Sequence, residues 1–147
     1  MKWFMHCLRN YATFTGRASR QEYWWFYLVV VAVGLGLALL GPSVIAQALR
    51  LVWGLAMLLP HLAVASRRMH DTGHSFWWFS GLLAAWIPLG VFGLMYGADQ
   101  QLQADPAALG LYALALLPFA GFVIYLLCKQ GDSGANRYGA PAPTTPT

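Results

Sequence analysis

The chain has 147 residues, of which 59% are hydrophobic and only 10% are charged. A typical soluble domain carries about 25% charged residues, so this chain has too few polar side chains to cover a water-facing surface of its size. The composition therefore argues against an ordinary soluble domain. The length allows one domain of four helices with short loops.

Four stretches are apolar and long enough to cross a bilayer, which takes about 17–25 residues of helix. They are Tyr23–Leu40, Val44–Ser66, Phe76–Tyr96 and Leu109–Cys128. The first, third and fourth contain no Asp, Glu, Lys or Arg, and the second contains only Arg50, near one end. We predict an all-α integral membrane protein with four transmembrane helices, forming a single domain over residues 1–139. The Pro-, Thr- and Ala-rich tail, residues 140–147, is predicted to be disordered.

The basic residues are distributed unevenly between the two sides of these stretches. Eight of the nine lie in the N-terminal segment, the loop after the second stretch and the C-terminal tail: Lys2, Arg9, Arg17, Arg20, Arg67, Arg68, Lys129 and Arg137. Cytoplasmic loops of membrane proteins are enriched in Lys and Arg. We therefore predict that both termini lie in the cytoplasm, and this orientation explains the net charge of +4 better than nucleic-acid binding does. A cleaved signal peptide is disfavoured, because the first apolar stretch begins only at Tyr23 and is longer than such a peptide requires.

Residues 3–14 have a helical period with one apolar face and one basic face. Such a helix can lie in the inner headgroup layer, with its cations toward anionic lipid. It can equally pack against loops of the protein itself. We predict an amphipathic N-terminal helix at the interface and leave both interpretations open.

Polar residues then concentrate in three clusters, all on the predicted cytoplasmic side: residues 14–24, 66–75 and 131–139. Ser19 fits the N-cap of the first spanning helix, with Glu22 three residues later. If the second spanning helix continues past Ser66, Arg67 and Asp71 are four residues apart and can form an ion pair. Gly73 can then end that helix in a left-handed conformation.

These clusters resemble a known family. The pattern Gly-Arg-Ala-Ser-Arg-x-Glu-Tyr-Trp begins at Gly16, Arg-Arg-x-His-Asp-Thr-Gly begins at Arg67, and Asn-Arg-Tyr-Gly begins at Asn136. Together they are similar to bacterial domain-of-unknown-function family 805, over about residues 8–141. The resemblance implies a four-helix protein of the bacterial inner membrane and no established biochemical activity. The chain departs from the family pattern at His74, where Arg is usual, and at Phe76, where Gly is usual.

Arginines outnumber carboxylates in the three clusters, which suggests an anion-binding site. Guanidinium groups can hold a phosphate or carboxylate with two parallel hydrogen bonds, and lipid headgroups are the nearest abundant anions. The candidate anion-binding residues are Arg17, Arg20, Arg67, Arg68 and Arg137, and the supporting polar residues are Ser19, Glu22, His70, Asp71 and Asn136. We expect Asp71 to pair with Arg17, Arg20 or Arg67, which leaves the remaining cations for the ligand. A simpler alternative is a tight interhelical hairpin with solvated or paired charges.

The first functional interpretation is thus a non-catalytic binding or assembly module that contacts anionic lipid or a partner protein, and a homo-oligomer is compatible with it. The alternative is a small oligomeric transporter or channel subunit, using Pro-kinked helices and the intramembrane residue His61. A third option is a membrane enzyme using His70, Asp71 and His74. Gly73 separates the two histidines and disfavours a shared metal. We expect no catalytic residues, no metal, no cofactor and no disulfide between Cys7 and Cys128 in the reducing cytoplasm.

Overall fold

The computed structural model describes residues 2–41, 43–81, 83–84, 106–142 and 145. This part of the chain is helical, and its only β feature is an isolated bridge between Asn136 and Gly139. The helices are α1 (Lys2–Arg9), α2 (Arg20–Ala38), α3 (Val44–Asp71) and α4 (Pro106–Cys128). Residues 77–81 and 83–84 are also helical. The rest of the predicted third crossing, and half of the predicted disordered tail, lie outside the described residues.

By their contacts the residues form two compact units. The first comprises Met1–Phe76 together with Gln130–Thr147, and the second comprises Trp77–Lys129. The first unit thus joins α1, α2 and α3 to the segment that follows α4. It contains all three polar clusters.

Helices α2 and α3 form an antiparallel hairpin. Ser19 is the N-cap of α2 as predicted, and its hydroxyl accepts from the Glu22 N–H at 3.2 Å. This cap starts α2 at Arg20, three residues before the predicted start. The turn between the helices uses Gly41 at φ +76°, and Ser43 caps α3. Both helices are long and apolar enough to cross a membrane.

Helix α3 continues past Ser66 to Asp71, and its 28 residues make it about 42 Å long. Gly73, at φ +74°, ends it in the predicted left-handed conformation. The N–H of His74 donates to the Met69 carbonyl and that of Gly73 to the His70 carbonyl, which together form a Schellman motif. The hydrocarbon core of a bilayer is about 30 Å thick, so α3 is longer than one perpendicular crossing requires.

Helix α1 is shorter than the amphipathic pattern predicted, since it ends at Arg9 rather than near residue 14. The side chain of Asn10 donates to the His6 carbonyl at 3.0 Å and so satisfies an acceptor at the helix end. The apolar face of α1 packs against α2: the rings of Phe4 and Phe26 stack at 5.5 Å, and Cys7 is fully buried. The helix therefore packs on its own protein, while Lys2, Met5 and Arg9 on its other face are exposed.

In the second unit, α4 begins at Pro106, three residues before the predicted start, and ends at Cys128 as predicted. Proline is favoured in the first turn of a helix because the N–H that it lacks has no partner there. Trp78 packs edge-on against Phe122, with ring centres 5.2 Å apart. Leu116–Cys128 is an apolar segment within α4.

Candidate functional site

The polar cluster lies at one end of the α2–α3 hairpin. Because the two helices are antiparallel, the start of α2 meets the end of α3, and the N–H of Ala18 donates to the Arg67 carbonyl at 3.0 Å. The segment after α4 adds Asp132, Asn136 and Arg137 to the same end through its contacts with α3. The predicted site residues are thus brought together, although their roles differ from one another.

Asp71 lies between two guanidinium groups. Nε of Arg17 is 2.9 Å from Oδ1 of Asp71, and Nη1 of Arg68 is 2.6 Å from Oδ2. All three residues are buried. The predicted pairing with Arg17 is confirmed, whereas the predicted i,i+4 pairing with Arg67 is wrong. The pair within α3 is instead the i,i+3 pair with Arg68, because Arg67 bonds to α2.

The partner of Arg67 is Glu22, whose Oε1 lies 2.6 Å from Arg67 Nη1. Glu22 is fully buried and also accepts from the Cys7 thiol at 3.6 Å. Burial, reinforced by the nearby Glu22 carboxylate, raises the pKa of the Cys7 thiol to about 12. Within the part of the chain that the structure describes, Glu22 Oε2 and the Nε and Nη2 atoms of Arg67 are buried without a hydrogen-bond partner.

Arg17 also holds the segment that follows α4. Beyond its bond to Asp71, its guanidinium donates to the carbonyl of Gly134 at 2.6 Å, to that of Gly139 at 3.5 Å, and to that of Asp132. The backbone N–H of Asp132 in turn donates to the Asp71 carbonyl at 2.9 Å. Arg17 is therefore a buried structural clamp, with donors directed at the backbone.

Gly131 lies directly against the Asp71 side chain. A Cβ atom at this position would overlap the carboxylate, so any other residue requires this segment of the chain or the Asp71 side chain to shift. Gly134, three residues later, has open space around it. No local sequence pattern marks Gly131, because its close approach to Asp71 joins two segments that are 60 positions apart.

The remaining polar residues surround the ring of Tyr138. His70 stacks on this ring at 3.9 Å with an interplanar angle of 9°, and the Cζ atom of Arg137 lies 4.7 Å from the ring centre. Asn136 donates to the His70 carbonyl at 2.9 Å, and Arg137 donates to the Gly73 carbonyl at 3.0 Å. Arg137 is exposed, unlike the three buried arginines.

A cavity of about 200 Å³ opens beside the cluster. It is lined by Ser19, Arg20, Asp71, Gln130, Gly131, Asp132, Pro141 and Ala142. Arg20 is exposed. The cavity thus brings a cation together with the acidic side chains of Asp71 and Asp132.

The histidines considered as catalytic, metal-binding or intramembrane residues have separate surroundings. Nδ1 of His70 lies 3.2 Å from the Gly16 carbonyl oxygen, whereas Nδ1 of His74 lies 2.7 Å from that of Thr72. No group of three His, Cys, Asp or Glu side chains within the described residues could hold a metal ion. His61 packs among aromatic rings of α2, with ring centres 5.9 Å from Tyr27 and 6.0 Å from Tyr23.

Comparisons with known proteins bear on this site. A family model described as "Protein of unknown function (DUF805)" matches residues 11–140. The inner membrane protein YhaI of Escherichia coli (strain K12) is 33% identical over 150 residues, which cover 95% of this chain and 93% of YhaI. The inner membrane protein YhaH of the same strain is 32% identical over 147 residues, which cover 95% of this chain and 94% of YhaH.

No solved structure matches the chain. The family match includes all three polar clusters and nearly the whole chain. The chain therefore belongs to domain-of-unknown-function family 805, as its motifs predicted.

Proposed function

We propose that this chain is an inner-membrane protein with four crossings and cytoplasmic ends, and that its cytoplasmic face is a non-catalytic module that binds anionic lipid headgroups. The relatives named as inner membrane proteins align over almost their whole length, which supports an inner-membrane location for this chain. The ion pairs of Glu22 and Asp71, and the protonated state of the Cys7 thiol, favour a structural rather than a catalytic role for the buried cluster.

A parity argument supports the number of crossings. Helices α2 and α3 form a hairpin, so Arg20 and Asp71 lie on one side. The N–H of Asp132 bonds to the Asp71 carbonyl, which returns the chain to that side after α4. This return supports an even number of crossings in between, and we infer two from the two apolar stretches in this interval of the sequence.

The observation that carries the lipid proposal is the contrast between buried and exposed cations. Arg17, Arg67 and Arg68 are buried in ion pairs and are not available to a headgroup. The exposed cations of the first unit are Lys2, Arg9, Arg20 and Arg137. We therefore assign headgroup contact to these four residues, of which only Arg20 and Arg137 were among the anion-binding residues predicted from the sequence.

The N-terminal segment that carries the exposed cations Lys2 and Arg9 also exposes apolar side chains. Met5 is 52% exposed, Tyr11 55% and Phe14 37%. A surface that combines cations with apolar and aromatic side chains fits the boundary between headgroups and acyl chains. Each cation near an anionic surface contributes about 1 kcal/mol of attraction.

The test compares bound lipid after purification. We expect a Lys2→Gln/Arg9→Gln/Arg137→Gln variant to retain several-fold less phosphatidylglycerol than the wild type, with phosphatidylethanolamine unchanged, when native mass spectrometry measures both lipids. Loss of three contacts of about 1 kcal/mol each is large enough to detect. Arg50→Gln is the matched control, because Arg50 donates to the Gly41 carbonyl at the opposite end of the hairpin. Equal retention of phosphatidylglycerol by the triple variant and the control would contradict the proposal.

A further inference from the structure

The segment after α4 forms a strap across the end of α3, and we define this strap as residues 130–139. It is held by the backbone bond between Asp132 and Asp71, by the clamp of Arg17, and by the Asn136 side chain on the His70 carbonyl. The bridge between Asn136 and Gly139 closes a tight turn within it. The strap covers the ion pairs of Asp71.

His70 of α3 contacts the strap through an aromatic stack. Its ring lies 3.9 Å from that of Tyr138, nearly parallel to it, and its Nδ1–H group donates to the Gly16 carbonyl. An imidazole side chain changes charge between about pH 5 and pH 8. The stack therefore places a titratable group between the strap and the loop that precedes α2.

The charges around His70 determine the effect of protonation. Arg17 and Asp71 are paired with each other, and Asp132 Oδ2 accepts from the Asn136 amide at 2.9 Å. Arg137 lies against the same Tyr138 ring as His70, so a protonated imidazole would be a second cation beside it. A protonated His70 is therefore disfavoured while the strap is docked.

The pKa of His70 agrees with this geometry. His70 lies beyond Ser66, where the predicted membrane span ends. Burial is the main cause that lowers the pKa of its imidazole, and the charge of Arg137 lowers it further, against an opposing effect of the Gly16 carbonyl. Because the pKa is lower in the docked state than in the released state, the released state binds more protons below the ordinary value of about 6.5. Docking is then strongest above that pH and weakens as the pH falls.

We propose that the strap is a pH-sensitive latch, in which protonation of His70 releases residues 130–139 from the end of α3 and uncovers the Arg17–Asp71–Arg68 cluster. The latch links the pH of the compartment at this face to exposure of the cluster. The latch does not rest on the lipid proposal, since His70 is not among the proposed headgroup contacts, although Arg137, which is one of them, lies within the strap.

Hydrogen exchange of the strap amides, measured by mass spectrometry on the full chain in detergent, tests the latch. After correction for intrinsic rates, we expect protection of residues 131–139 to fall by about fivefold or more between about pH 7.5 and pH 5. The His70→Phe variant keeps the aromatic stack and cannot be protonated, so its protection should stay constant. His74→Gln should respond to pH as the wild type does. Identical pH dependence in the wild type and His70→Phe would overturn the proposal.

A variant at Gly131 tests the docking of the strap on Asp71 without any change at His70. Gly131→Ala would put a Cβ atom into the Asp71 carboxylate, which Arg17 and Arg68 hold in place. We therefore expect the strap to move away, so that its amides already exchange rapidly at about pH 7.5. Gly134→Ala is the matched control, because nothing lies within 4 Å of an added Cβ there. Equal protection in these two variants would show that the strap is not docked on Asp71 and would overturn the latch as well.

Discussion

At the scale of single residues, Asp71 holds the polar cluster together, because one carboxylate is the shared counter-ion of two buried guanidiniums from different segments. Arg17 comes from the loop before α2 and Arg68 from the preceding turn of α3. A buried ion pair often adds little net stability, but removing one partner leaves an uncompensated charge at a cost of about 3–5 kcal/mol. Asp71 is thus more important to the fold than its place in a polar loop motif indicated.

Asp71→Asn should therefore be strongly destabilising, since it keeps the shape of the side chain and removes the charge that both arginines need. We expect a loss of about 3–5 kcal/mol in the free energy of unfolding, seen as a marked fall in melting temperature in detergent. Asp132→Asn is the control, because Asp132 is exposed and its side chain accepts from Asn136, while its bonds to Asp71 and Arg17 are made by the backbone. The same melting temperature for both variants would contradict the role assigned to Asp71.

The sequence could place these charges in one cluster but could not pair them correctly. The spacing rule offered Arg67 as the partner of Asp71, because residues four apart share a helix face. The rotation of α3 against α2 instead turns Arg67 toward Glu22, with 2.6 Å between the charged atoms. That rotation depends on how α3 packs against α2, whose residues Arg67 and Glu22 are 45 positions apart in the sequence. A local sequence pattern cannot predict such packing.

At the scale of elements, the helix ends were predicted well where a local chemical signal sets them. Ser19 caps α2, and Gly73 ends α3 through the left-handed conformation that glycine adopts at low cost. The end of α1 was misplaced because the amphipathic period continues through Tyr11 and Phe14. The side-chain bond of Asn10 to the His6 carbonyl ends the helix before those residues.

Gly73→Ala tests the end of α3. A non-glycine residue in the left-handed region costs about 1–2 kcal/mol, and the added Cβ atom would lie 3.3 Å from Asp132 Oδ2. We expect a lower melting temperature together with faster hydrogen exchange at residues 69–74. Gly54→Ala, inside the same helix with open space around it, should cause no such loss. If both variants melt at the wild-type temperature, the left-handed conformation of Gly73 does not stabilise the fold as described.

At the scale of the whole molecule, the exposed apolar surface requires a hydrocarbon solvent. Leu39 is 88% exposed and Val44 is 82% exposed at the α2–α3 turn. In lipid such side chains need no covering layer, while every backbone polar group must be satisfied within a helix. The sequence predicted this environment from composition alone, because 10% charged residues cannot cover a soluble fold.

We propose that an even number of crossings returns both ends of the chain to the cytoplasm. Single-cysteine variants Thr13→Cys, Leu40→Cys and Thr145→Cys, made in a Cys7→Ala/Cys128→Ala background, test it with a membrane-impermeant maleimide. In intact spheroplasts we predict labelling of the Leu40 variant alone, with the other two labelled only after the membrane is opened. Labelling of the Thr13 or Thr145 variant from outside, or protection of the Leu40 variant, would contradict the account.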